Sequence, residues 1–288
     1  MTRAARWLVV AAVAAVLTPV VPGAAQEAPA DSPGGRVVID DGHVDMGPRF
    51  LNGKWTVQVR DDTGAAPVWR QLDDVVLHAG EDARTEVPPG TEYGFLGTPE
   101  SNVWLLPQTQ RAGTVWPGWN TQDPETATKV DREVTWRLQT VQGPGPFSLF
   151  LTGAFGAPQV IFDSRKPLPQ ETGIEVNSHV HGNWAFGAPG TYLLGIEMSA
   201  STVDGRRVVD RQVLRVHIGD GDPAQAFAVA STVAPRAPAA GSDEAPRASD
   251  GSGSRPTAWI AGAAVAVVLV GTVVLVVFRR RGRRTEAS

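Results

Sequence analysis

The sequence predicts an all-β, immunoglobulin-like β-sandwich ectodomain followed by one C-terminal transmembrane helix. Three observations lead there. Between about Arg36 and Gly219, apolar and polar residues alternate with period two and no helical period is sustained. The 31 Gly and 23 Pro punctuate the chain as short strands and turns require. Last, Trp259 to Phe278 is an uncharged run of almost only Ala, Val, Leu, Ile and Gly. As a helix it would span about 30 Å, the thickness of a bilayer's hydrocarbon core.

Taken from the N-terminus, the first element is a secretory signal peptide over residues 1–25. Arg3 and Arg6 precede the apolar run Trp7 to Leu17, and the small residues Gly23, Ala24 and Ala25 offer a cleavage site. Strand alternation begins clearly at Trp55, Val57 and Val59, separated by Thr56 and Gln58. It returns at Val134, Trp136 and Leu138, and shorter candidates are Phe147 to Leu151 and Val160 to Phe162. Extra strands or long loops are expected across Pro107 to Asp131, because about 185 residues is large for a plain seven-stranded sandwich. His78 falls where a turn is expected, and His217 shares the outward face of Arg215 in the last strand.

The last hairpin is the most explicit. Tyr192, Leu194, Ile196 and Met198 share one strand face, and Leu214, Val216 and Ile218 share another. A two-residue Asp204-Gly205 loop would set apolar residues against polar ones, since a one-residue slip exchanges faces. A three-residue loop, Val203-Asp204-Gly205, pairs Leu194 with Leu214 and Tyr192 with Val216, with Gly205 left-handed in a G1 bulge. The run Gly190-Thr191-Tyr192 followed by Leu194 resembles the tyrosine-bearing strand of immunoglobulin-like sandwiches.

Residues 36–220 therefore form the predicted folded domain. Residues 221–258, made mostly of Ala, Pro, Ser, Gly and Asp, form a predicted disordered linker. As a flexible coil it would reach roughly 35 Å. Residues 259–278 form the membrane helix, and the five arginines of 279–288 mark a short cytoplasmic tail by the positive-inside rule. The expected product is a single-pass cell-membrane protein with its N-terminal domain outside. Removing Arg3, Arg6, the five tail arginines and Glu286 from the totals of 26 basic and 30 acidic residues leaves a net charge near −10 on the exported part. Such a surface favours cations and argues against nucleic acid as a partner. The absence of Cys removes disulfides and thiolate chemistry.

His179-Val180-His181 is the most informative local motif. Residues i and i+2 of a strand point to one side, so the pair is a ready chelate for a borderline metal such as Zn²⁺. His43-Val44-Asp45 repeats the spacing with an imidazole and a carboxylate. Together they offer three nitrogens and one oxygen, a tetrahedral set, with Asn183 as a supporting second-shell partner. Read alone, each pair is equally consistent with solvated residues at a strand start. The tryptophans invite a second reading. Trp116-Pro117-Gly118-Trp119 is a candidate loop for stacking sugar rings, as a glycan-binding or adhesive module would; burial as core mass is the competing role. No G-x-S-x-G, H-E-x-x-H or P-loop is present, so no enzymatic activity is expected. Leu106-Pro107-Gln108-Thr109-Gln110 imitates a sortase signal but lacks its Gly and lies far upstream of the anchor, so it belongs to the fold.

Several segments together resemble the actinobacterial surface-anchored domain family called choice-of-anchor M. They are Gly42-His43-Val44-Asp45, Tyr93-Gly94-Phe95-Leu96-Gly97, Val103-Trp104-Leu105-Leu106-Pro107-Gln108, Trp116-Pro117-Gly118, Gly143-Pro144-Gly145-Pro146-Phe147, Phe162-Asp163-Ser164, and His179 to Phe186 leading into Gly190-Thr191-Tyr192. The resemblance covers nearly all of 36–220. It implies association with ABC import systems of the zinc/manganese type and does not imply a settled activity. Its histidine-bearing motifs fall on His43, Asp45, His179 and His181. The expected function is a surface-anchored binding protein that captures a transition metal, zinc before others, or a metal-bearing ligand, for an ABC importer. Neutral imidazoles would bind above about pH 6.5 and release on acidification.

Overall fold

The computed structural model describes residues 30–31, 34–153 and 156–231. The segments predicted as signal peptide, transmembrane helix and basic tail, and the predicted linker beyond residue 231, lie outside the described residues. Among the described residues no helix is long and apolar enough to cross a membrane.

The protein is an all-β sandwich. Its strands are β1 (Ala30–Asp31), β2 (Val37–Ile39), β3 (Gly42–Leu51), β4 (Lys54–Asp61), β5 (Val68–Gln71), β6 (Val75–Ala79), β7 (Arg84–Glu86), β8 (Asn102–Leu106) and β9 (Val115–Asn120). After a short helix, α1 (Pro124–Lys129), come β10 (Val130–Gln142), β11 (Phe147–Thr152), β12 (Pro158–Asp163), β13 (Gln170–Glu175), β14 (His179–His181), β15 (Asn183–Phe186), β16 (Gly190–Thr202) and β17 (Arg207–Ile218). They form three sheets, in the orders β1-β5-β4-β3-β9-β14, β13-β10-β16-β17-β6-β2 and β12-β11-β15-β8-β7. Parallel pairs such as β3 with β9 and β6 with β17 mix with the antiparallel ones.

One apolar core is shared by all three sheets, and its meeting point is Trp136. Trp136 is 1% exposed and lies 5.3 Å from Trp119 of the first sheet. From the third sheet, Phe162 meets it edge-on at 5.0 Å and Trp184 lies 6.0 Å away. The alternation read from the sequence is the cause. Val134, Trp136 and Leu138 turn inward from β10, and Trp55, Val57 and Val59 do so from β4. The β4 residues between them, Thr56 and Gln58, are buried as well, so this strand is covered on both faces.

The last hairpin has the expected register, with Leu194 opposite Leu214 and Tyr192 opposite Val216. Thr202 and Arg206 close the three-residue loop, and Gly205 takes the left-handed φ of 85° that the bulge requires. The Tyr192 hydroxyl donates to the Ala188 carbonyl at 2.8 Å, the backbone tie four residues upstream that a tyrosine corner makes.

Four details depart from the sequence reading. The stretch Pro107 to Asp131 holds β9 and also α1, capped by Asp123, whose side chain accepts from the amides of Glu125 and Thr126. Where the linker is expected to begin, Pro223–Ala228 forms a 3-10 turn that buries Ala226, and Arg36 lies over the Phe227 ring at 5.0 Å. His78 sits inside β6 rather than in a turn. His217 is buried, because parallel pairing of β6 with β17 sets His78 opposite it with the rings 5.7 Å apart.

Burial pushes the His217 pKa below its ordinary value. His78 adds to the effect, while Asp220 and Asp222 oppose it. The folded form therefore takes up a proton less readily than the unfolded chain. The stability tied to this residue is present above the unfolded value of about 6.5 and is lost as the pH falls below it. Between pH 7.5 and 5.5 the melting temperature of the wild type should fall further than that of His217→Gln, measured by differential scanning calorimetry.

Candidate metal centre

The cluster is assembled on three neighbouring strands of the first sheet. β3 runs parallel to β9 with His43 opposite Trp116 and Asp45 opposite Gly118. β14 runs antiparallel to β9 on its other side, with His181 opposite Gly118 and His179 opposite Asn120. Period two then does the rest. Val44, Met46 and Trp119 turn into the core, so His43, Asp45, Trp116, Gly118, Asn120, His179 and His181 share the opposite face. Gly118 lies at the centre of this face. A Cβ there would stand 2.4 Å from Asp45 Oδ1 and 2.7 Å from His181 Cε1, so only glycine leaves room for both side chains.

The two sequence pairs, far apart in the chain, thus meet. His43, Asp45, His179 and His181 offer four ligand atoms, all within 4.8 Å of one another, and could hold a metal ion. The three Nε2 atoms stand 3.0 Å (His179–His181), 3.1 Å (His43–His181) and 3.4 Å (His43–His179) apart. Asp45 Oδ1 is 3.0 Å from His179 Nε2, 3.5 Å from His43 Nε2 and 3.7 Å from His181 Nε2. A tetrahedron with metal arms of about 2.0–2.1 Å has edges of about 3.3–3.4 Å. The six observed edges bracket that value.

The surrounding groups prepare the donors. Asp62 Oδ2 lies 2.8 Å from His43 Nδ1. A carboxylate only accepts, so Nδ1 carries the proton, and when a cation displaces the proton from Nε2 that nitrogen's lone pair aims into the cluster. Arg60 in turn holds Asp62, with Nε donating to Oδ1 at 2.8 Å. Asn120 Nδ2 donates to Asp45 Oδ2 at 2.9 Å. His181 stacks on the Trp116 indole at 3.7 Å and 13°. Trp116 is itself anchored, Nε1 donating to the Gln108 carbonyl at 3.0 Å.

Protonation follows from the same contacts. Hydrogen bonding to Asp45 raises the His43 pKa against the lowering by burial, and Asp62 adds to the rise. Burial pushes the Asp45 carboxyl up, but hydrogen bonds from His179, His43 and Asn120 outweigh it and hold the group well below the ordinary carboxylate range. Burial pushes His181 down to about 4; Asp45 opposes this, while His179 and His43 add to it. Near neutral pH the cluster therefore contains an ionised carboxylate and a neutral His181, the forms a cation needs.

Two sequence expectations need correction. Asn183 does not support the ligands. The chain leaves the first sheet at Gly182 and enters the third as β15, so the face shared by His179 and His181 does not continue to Asn183. Asn183 instead accepts from the Gln108 amide at 2.9 Å and donates to Thr152 Oγ1 at 3.0 Å, bracing the segment that anchors Trp116. Trp116 and Trp119 are not a stacking loop. Both lie in β9, with Trp119 5% exposed in the core and Trp116 against His181.

The residues the sequence reading missed are Asp62, Trp116 as support for an imidazole, Gly118 and Asn120. The last three alternate along Trp116-Pro117-Gly118-Trp119-Asn120, a signal that becomes readable only once β9 is known to lie between β3 and β14. Comparison with protein families, curated proteins and solved structures finds no match for this chain.

Proposed function

We propose that this chain is a surface-tethered, non-enzymatic protein that captures a transition metal, zinc before others, and supplies an importer of the zinc/manganese ABC type. The carrying observation is the near-tetrahedral set of three imidazoles and one buried carboxylate, with edges of 3.0–3.7 Å. Zn²⁺ imposes no geometry of its own and accepts this donor set, whereas Cu²⁺ favours a tetragonal one. Four protein donors fill the tetrahedron, which leaves no vertex for the activated water of a hydrolytic site. Tethering outside the membrane is supported by the basic-apolar N-terminus and the apolar run 259–278 with its arginine tail. The importer is supported by the choice-of-anchor M motifs alone.

Elemental analysis of the purified protein and zinc calorimetry test the reading. The wild type should bind one Zn²⁺, and the His179→Ala/His181→Ala double variant should not; equal binding by the two would refute the site. At free zinc of 100 Kd, binding stabilises the fold by about 2.7 kcal/mol. For a folded unit of this size that raises the melting temperature by about 5–10 °C, and a chelator should reverse the rise.

A further inference from the structure

The four ligands are held unequally, and the inequality assigns a direction to metal traffic. This inference rests on the metal-capture reading above. Side-chain exposure is 0% for Asp45, 9% for His181, 19% for His43 and 35% for His179. Three of the four are braced from outside the cluster: Asp45 by Asn120, His43 by Asp62, and His181 by the Trp116 indole. The polar contacts of the His179 side chain, among the described residues, are all with the cluster itself, through Nε2 to Asp45, His43 and His181. The second ligand pair, His179 with His181, also sits on a shorter strand than the first. His43 and Asp45 lie within the ten-residue β3, flanked by β4 and β9. His179 opens the three-residue β14 at the edge of the sheet.

We propose that His179 is the releasable ligand, and that the metal is handed over when a donor atom from an acceptor takes the His179 position. In that exchange one metal–nitrogen bond, to His179 Nε2, breaks as one bond to the incoming nitrogen, oxygen or sulfur donor forms. No electrons change hands, and the freed imidazole leaves neutral into solvent. His43, Asp45 and His181 keep the ion until further donors replace them. Turning one exposed, unbraced side chain outward requires little of the fold to move, whereas Asp45 and His181 are buried and held from outside the cluster. A three-residue edge strand with a single unbraced ligand is therefore the point from which an importer or a small chelator extracts the ion.

The test uses the full-length protein in detergent, loaded with Zn²⁺, with the chelator 4-(2-pyridylazo)resorcinol as acceptor. Zinc release from the wild type should accelerate in proportion to chelator concentration. His179→Ala should still bind one zinc, with affinity lowered by at least about 10–100-fold, the range that changes outside the ligand set already reach, and with release faster by a similar factor. Asp45→Ala and His181→Ala should retain no stoichiometric zinc, circular dichroism reporting that each variant is folded. A wild-type release rate that does not depend on chelator overturns the proposal, as does a His179→Ala variant that loses zinc as completely as His181→Ala. Failure of the wild type to bind zinc at all overturns the metal reading itself.

Discussion

Replacing Gly118 by alanine is expected to weaken zinc binding roughly 10–100-fold although no ligand is removed. The new methyl group would stand 2.4 Å from Asp45 Oδ1 and 2.7 Å from His181 Cε1, distances no side chain tolerates. Neither neighbour can yield freely. Asp45 is fully buried with its other oxygen tied to Asn120, and His181 is pressed against Trp116. Asp45 Oδ1 is one end of the longest edge of the tetrahedron, at 3.7 Å, and Cε1 is bonded to the Nε2 at its other end, so the methyl spreads an edge already near the limit. The backbone itself tolerates the change, since an alanine in a strand is favoured over glycine in conformational entropy. Gly64→Ala is the matched control, because its methyl would meet nothing closer than 3.7 Å. Calorimetry should separate the two variants, with circular dichroism verifying the fold of both. Wild-type affinity in Gly118→Ala would mean that Asp45 and His181 do not bind a common ion across that glycine.

Much of the metal centre was legible because a chelating pair at i and i+2 depends only on strand geometry. His43 with Asp45, and His179 with His181, are visible in the chain without knowing where the strands go. Their convergence was not legible. It depends on β9 pairing parallel with β3 and antiparallel with β14, and no local pattern announces a strand's neighbours. The same reasoning explains Asn183. Counting by two along a strand fails where the chain changes sheet, and Gly182 lies at that change. The final hairpin succeeded because the apolar faces of Leu194 and Leu214 permit one register and a slip would expose both. Helix α1 went unread, although Asp123 followed by Pro124 is a helix-start signal, because six residues are too few to establish a period. The burial of His217 required knowing that β6 covers the edge of β17, a contact between residues far apart in sequence.

The largest stability effect is expected at Trp136. Trp136→Ala should lower the unfolding free energy by about 3–5 kcal/mol, the range for deleting a buried large aromatic side chain. The indole lies where Trp119 of the first sheet and Phe162 and Trp184 of the third converge, so its loss leaves walls belonging to two different sheets, which cannot collapse onto the void together. Trp136→Phe provides the informative contrast. Trp136 Nε1 is buried without a hydrogen-bond partner among the described residues, and an unsatisfied buried donor costs about 1–3 kcal/mol. Phenylalanine removes that donor while keeping most of the aromatic mass, so its net loss should be well under half that of alanine. Urea unfolding followed by tryptophan fluorescence and circular dichroism measures both. The metal centre supplies a second readout of the same variants. Trp119 lies in β9 with its ring toward Trp136, while Gly118 and Asn120 on the same strand face the ligands. Softening the Trp119–Trp136 contact loosens the strand that aligns β3 with β14. In Trp136→Ala, zinc affinity should therefore fall together with stability, although the substituted side chain lies on the core side of the first sheet and the ligands on its other face. A stability loss with unchanged zinc affinity would mean that the site's geometry is set by its own hydrogen bonds and not by the core beneath it.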